Sequence, residues 1–129
     1  MRPTDLERDL RLQFFQIRGI DSEYLMKSFD KIEVAARSFT EAGFFVDFRK
    51  HDSLKVGESG EKYGWGEIGG RLNGQVHVGF EFYINEGYIT MIEGFTYEWP
   101  TWPDEIHSYE LFKEEIRYFA DQCAKCSAA

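Results

Sequence analysis

Glu81 and Glu93 are the residues whose type and spacing come nearest to acid–base chemistry. Strand alternation puts them on one face, diagonally related, and carboxylates a few ångströms apart can split their pKa values as glycosidase pairs do. Nothing else in the chain completes such a site. There is no Ser-His-Asp arrangement, no HExxH, no dinucleotide glycine pattern and no phosphate loop. The plainer role for a glutamate just before Gly94 is to anchor strand ends through backbone amides. Cys123-Ala124-Lys125-Cys126 has the CxxC spacing of redox and zinc sites. Redox use expects that motif at a helix start after a strand, whereas here it falls at the end of an expected helix. Zinc needs two further ligands, and His51, His77 and His107 show no partner spacing. These cysteines read as ordinary thiols, and no catalytic residue, metal or cofactor is expected.

The stronger chemical signal is recognition. From Leu72 to Phe112 there is no lysine or arginine, yet there are seven carboxylates and ten aromatics. Aromatic side chains supply contact area, and unopposed carboxylates steer a positively charged partner. Phosphate backbones demand lysine and arginine, so a nucleic-acid surface is excluded as the reading of this segment. Its most surface-like part is Tyr97-Glu98-Trp99-Pro100-Thr101-Trp102-Pro103-Asp104-Glu105, where prolines remove backbone donors and predict an irregular connection. Tyr97, Trp99 and Trp102 are candidate anchors, with Glu81, Glu93, Glu98, Asp104 and Glu105 as the acidic surround. The alternative is that the tryptophans plug the edge of the core.

The charge distribution agrees. Of the net charge of -8, residues 1–63 carry -1 (11 Lys+Arg, 12 Asp+Glu) and residues 64–129 carry -7 (4 and 11). A field that lopsided favours a cationic partner. With 129 residues, 43% hydrophobic and 17% aromatic, one folded domain is expected. No run of 18 apolar residues is present and no apolar stretch follows Met1-Arg2-Pro3. Neither a membrane span nor a signal peptide is therefore expected, and a reduced cytoplasmic setting is.

These side chains need a scaffold, and the periodicity predicts an α+β fold. Thr4-Asp5-Leu6-Glu7 reads as a capping box, followed by Leu6, Leu10, Phe14 and Ile17 at helical spacing and Gly19 as a stop. This predicts a helix over about 4–18. A second helix over about 22–42 is predicted from Leu25, Phe29, Ile32, Ala36 and Phe39, ending at Gly43. The two would pack on a roughly four-stranded antiparallel meander over about 44–97. Its turns are Asn73-Gly74, a type I′ signal, and Asn85-Glu86-Gly87. A C-terminal helical segment over about 105–124 is predicted from Tyr109, Phe112, Ile116 and Phe119, with an edge strand over 107–112 as the alternative.

Alternation also assigns faces. Val76, Val78, Phe80, Phe82 and Ile84 should share the core face with Tyr88, Thr90 and Ile92. His77, Glu81 and Tyr83 should share the other with Ile89, Met91, Glu93, Phe95 and Tyr97. A solvated face would not carry that much apolar surface, so a cover is expected. The candidates are the C-terminal helix and a partner protein.

The stretch Val78-Gly79-Phe80-Glu81-Phe82-Tyr83-Ile84-Asn85-Glu86-Gly87-Tyr88-Ile89-Thr90-Met91-Ile92-Glu93-Gly94-Phe95-Thr96-Tyr97, with Trp99-Pro100, resembles one in small acidic bacterial immunity proteins of polymorphic toxin and contact-dependent growth inhibition systems. Such proteins are not enzymes. They bind the cytotoxic C-terminal domain of a cognate toxin, often a nuclease, and occlude its active site. The resemblance implies a basic protein partner, while the lack of lysine and arginine over 72–112 and of an apolar span leads to no expected nucleic-acid or membrane contact. The other readings are a small-ligand module with an aromatic-lined pocket and, behind it, an enzyme built on Glu81 and Glu93.

Overall fold

The computed structural model describes residues 2–20, 31–97 and 101–114. One helix, α1 (Asp5–Arg18), packs on an antiparallel sheet of β1 (Val34–Thr40), β2 (Gly43–Phe48), β3 (Lys62–Leu72), β4 (Val76–Asn85), β5 (Tyr88–Thr96) and β6 (Tyr109–Lys113). The strand order is β1-β2-β5-β4-β3-β6, so the β3–β4–β5 meander occupies the centre.

α1 begins as its sequence dictates. The Thr4 hydroxyl accepts from the Glu7 amide, the Glu7 carboxylate accepts from the Thr4 amide at 2.8 Å, and Gly19 closes the helix in the left-handed region. Leu6, Leu10 and Phe14 line its buried stripe, with Phe14 set 4.6 Å from Trp65 and 4.8 Å from Phe82, centroid to centroid. Glu7 is itself buried and holds Arg37 of β1 through two hydrogen bonds of 2.7 and 2.8 Å. On the helix's other flank, buried Arg11 donates to the Ser53 carbonyl at 2.8 Å and lies 4.7 Å over the Phe15 ring. Burial lowers its pKa to about 10. The Tyr109 hydroxyl donates to Asp9, tying β6 to α1.

This architecture corrects the expected one. Among the described residues, the helix pair, four-strand meander and C-terminal helix give way to one α-helix on a six-stranded sheet. Residues 34–40 form β1, because Val34, Phe39 and Thr40 are strand formers and Glu41-Ala42 closes a tight hairpin onto β2. The Thr40 hydroxyl accepts from the Gly43 amide across that turn at 3.1 Å. Leu25 and Phe29 lie outside the described residues. Residues 109–113 form an edge strand on β3, the alternative weighed for that stretch, while Ile116, Phe119, Cys123 and Cys126 lie outside the described residues.

Both predicted turns form, with Asn73-Gly74 and Glu86-Gly87 at positive φ. Asn85 pairs with Tyr88, leaving a two-residue loop, and a bulge then inserts Thr90, whose hydroxyl donates to the Tyr83 carbonyl at 3.1 Å. The bulge moves Ile89 into the core beside Ile84, whereas alternation had put it on the outer face. Beyond the bulge even-numbered residues of both strands share the core face, as expected, but in a shifted register: Phe82 faces Ile92 and Phe80 faces Gly94.

Candidate functional site

The outer face, opposite α1, is built from cross-strand rows. Glu81 of β4 stands directly across from Glu93 of β5, which stands across from Phe45 of β2. The next row is Tyr83, Met91 and Asp47; on the other side come Gly69, Gly79 and Phe95. The expected diagonal relation of Glu81 and Glu93 is thus a direct one, because the bulge shifts the register. Like charges directly opposite each other in a sheet are destabilising. Both carboxylates are half-buried, and neither has a lysine or arginine partner among the described residues.

Tyr83 compensates the pair in part. Its hydroxyl donates to Glu93 Oε1 at 2.8 Å and lies 3.4 Å from Glu81 Oε2. One phenolic hydrogen serves two carboxylates. Burial, the bond to Glu93 and the two negative charges push the Tyr83 pKa far above the ordinary phenol value, so the donor stays protonated. Gly64 of β3 leaves the space into which Glu81 leans; a Cβ there would meet Glu81 Oε1 at 2.8 Å. In the other direction along β4 the next ionisable side chain is His77, four residues and roughly 13 Å from Glu81.

At that end Tyr97 lies across Gly79, where a Cβ would come within 2.5 Å of its hydroxyl. The Tyr97 hydroxyl donates to Glu114 Oε2 at 3.2 Å, and His77 Nε2 is 2.9 Å from Glu114 Oε1. The rings of His77, Tyr97 and Phe112 cluster, with centroids 4.6 and 6.2 Å from His77. The face therefore presents an under-compensated carboxylate pair beside a ledge of aromatic rings. Among the described residues, no helix or strand is layered over it, and Glu114 alone reaches onto it from beyond β6. The expected cover splits at its first residues: Tyr109 points to the core face and Phe112 to the outer one.

The other candidates lie elsewhere. Trp102 is 6% exposed and packs on Phe44 and Phe80 with centroids 5.1 and 6.2 Å away, so it plugs the core. Asp104 and Glu105 are exposed on the connection that follows, on the core side of the sheet's end. Asn73 holds that connection, donating to the Glu105 carbonyl and accepting from the His107 and Ser108 amides. Glu98 and Trp99 lie outside the described residues. The structure thus unites Glu81, Glu93 and Tyr97 and separates them from Trp102, Asp104 and Glu105. Tyr83, His77 and Glu114 were missed as site residues. Alternation already placed Tyr83 and His77 on this face, while an expected helix over 105–124 hid Glu114.

Among the described residues no three metal-ligating side chains converge, and no helix is long and apolar enough to cross a membrane. No protein-family model, curated protein or solved structure matches the chain.

Proposed function

We propose that the protein is a non-enzymatic immunity protein that neutralises a basic toxin domain, with the outer face of the sheet as its binding surface. The observation that carries this reading is Glu81 set directly against Glu93 with one phenolic hydrogen between them. A lysine or arginine side chain from a partner relieves that repulsion, and the flanking Phe95, Tyr97 and Phe112 rings supply apolar contact around it. Asp47 and Glu110, on the same face, add negative charge, while Arg71, opposite His77 and Glu110, and Lys62, opposite Asn85, place the face's cations toward β3 and away from the pair. A toxin that handles nucleic acid carries a basic groove, the electrostatic complement of this surface. Trp102 has no part in the interface.

The test is capture from the source organism's lysate by the wild-type protein and by Glu81→Gln/Glu93→Gln, at low and high salt. The captured domain is then expressed alone and together with each protein. The reading requires a stoichiometric basic domain on the wild type, its release by salt, growth arrest when it is expressed alone, and rescue by the wild type only. Equal capture and rescue by the variant would remove the outer face from the account.

A further inference from the structure

A cleft of about 400 Å³ opens on the opposite side of the sheet, between the start of α1, the β1–β2 hairpin and residues 102–109. Its walls are mostly apolar. Phe39 is 67% exposed, the one large apolar side chain so exposed among the described residues, and it stacks on Phe44 with centroids 6.1 Å apart. Phe44 in turn packs on Trp102, and Leu6, Ile106 and Tyr109 complete the lining. This run of rings carries aromatic surface from solvent to the core, in a cleft of the size and composition that small molecules occupy.

Its ionisable lining is Asp5, Glu7, Arg37, Asp104 and His107, in which carboxylates outnumber cations, and His107 lies 3.5 Å from the Glu105 carboxylate. Arg37 is neutralised by buried Glu7 through their two hydrogen bonds. Asp5 and Asp104 are exposed on the rim; Asp5 has only a 3.5 Å contact to Arg8, and Asp104 has no ion pair among the described residues. The faces of aromatic rings also attract cations. Ring walls and rim carboxylates therefore favour the same ligand by separate physical effects.

We infer that this cleft binds a small organic cation with a flat apolar body, its ring against Phe39 and Phe44 and its positive group toward Asp104. The site is separate from the outer face and does not depend on what that face binds. The probe is benzamidine, with the isosteric anion benzoate as control, followed by amide chemical shifts of the full chain. Benzamidine should titrate the amides around Asp5, Phe39 and Asp104 with a dissociation constant on the order of 1 mM, while benzoate moves none of them. Phe39→Ala and Asp104→Asn should each weaken it about fivefold or more, and Glu81→Gln should leave it unchanged. Both substitutions are at exposed positions, so their spectra remain those of the folded protein. Equal binding of benzoate, shifts confined to Glu81 and Glu93, no saturation by about 10 mM, or indifference to both cleft variants would overturn the inference.

Discussion

Glu81 and Glu93 are the residues at which local stability and the fold's surface chemistry disagree. Directly opposed like charges cost a sheet a few tenths of a kcal/mol to about 1 kcal/mol. Glu81→Gln should therefore raise the unfolding free energy of the isolated protein by about 0.5 kcal/mol in urea at pH 7, while weakening the partner complex. A loss of stability would show that the pair serves the fold instead. Glu7 is the contrasting carboxylate: it is buried, bonded twice to Arg37 and part of the helix cap. Arg37→Met leaves that charge without its main counterion and should cost about 3 kcal/mol by the same measurement. Trp102→Ala empties a core position and should cost about 4 kcal/mol. Sequence reasoning found the two glutamates and Tyr97 by alternation. It could not separate a surface tryptophan from a buried one, since Trp-Pro spacing suits both and only the packing of Phe44 and Phe80 decides.

At the scale of elements, the parts set by local chemistry were legible: the Thr4–Glu7 cap, the Asn73-Gly74 turn and the faces of β4. The misassigned parts depend on partners distant in sequence. Ile32, Ala36 and Phe39 satisfy a helical period, but pairing of residues 34–40 with β2 overrides it. Gly43 reads as a helix stop, yet its role is close approach: a Cβ there would sit 1.8 Å from the Gly94 carbonyl oxygen. Gly43→Ala should cost about 2 kcal/mol or more by forcing β2 from β5. The α1–β6 tie gives a pH prediction. Burial and the Asp9 bond raise the Tyr109 pKa from 10 to about 12, so folding favours the protonated phenol. Its contribution is complete below pH 10 and is lost as the pH rises through about 12. Tyr83, raised further, adds to the same alkaline loss. Tyr109→Phe should make stability less steeply pH-dependent above pH 10 in alkaline urea titrations; an unchanged slope would show that this tie contributes nothing.

Over the whole molecule, a net charge of -8 makes long-range attraction the first event in meeting a basic partner. Raising salt should slow association more than it speeds dissociation, as read by stopped-flow kinetics with the captured domain. In the proposed complex the outer face would supply short-range specificity, since it combines a carboxylate pair only partly compensated by Tyr83 with aromatic surface not layered by any described helix or strand. The measurement that bears most directly on this account is calorimetric titration of the captured basic domain with wild type and with Glu81→Gln/Glu93→Gln. The account predicts at least a hundredfold weaker binding by a variant whose fold is intact and no less stable. Affinity within a factor of two of wild type would contradict it and move the interface away from this face.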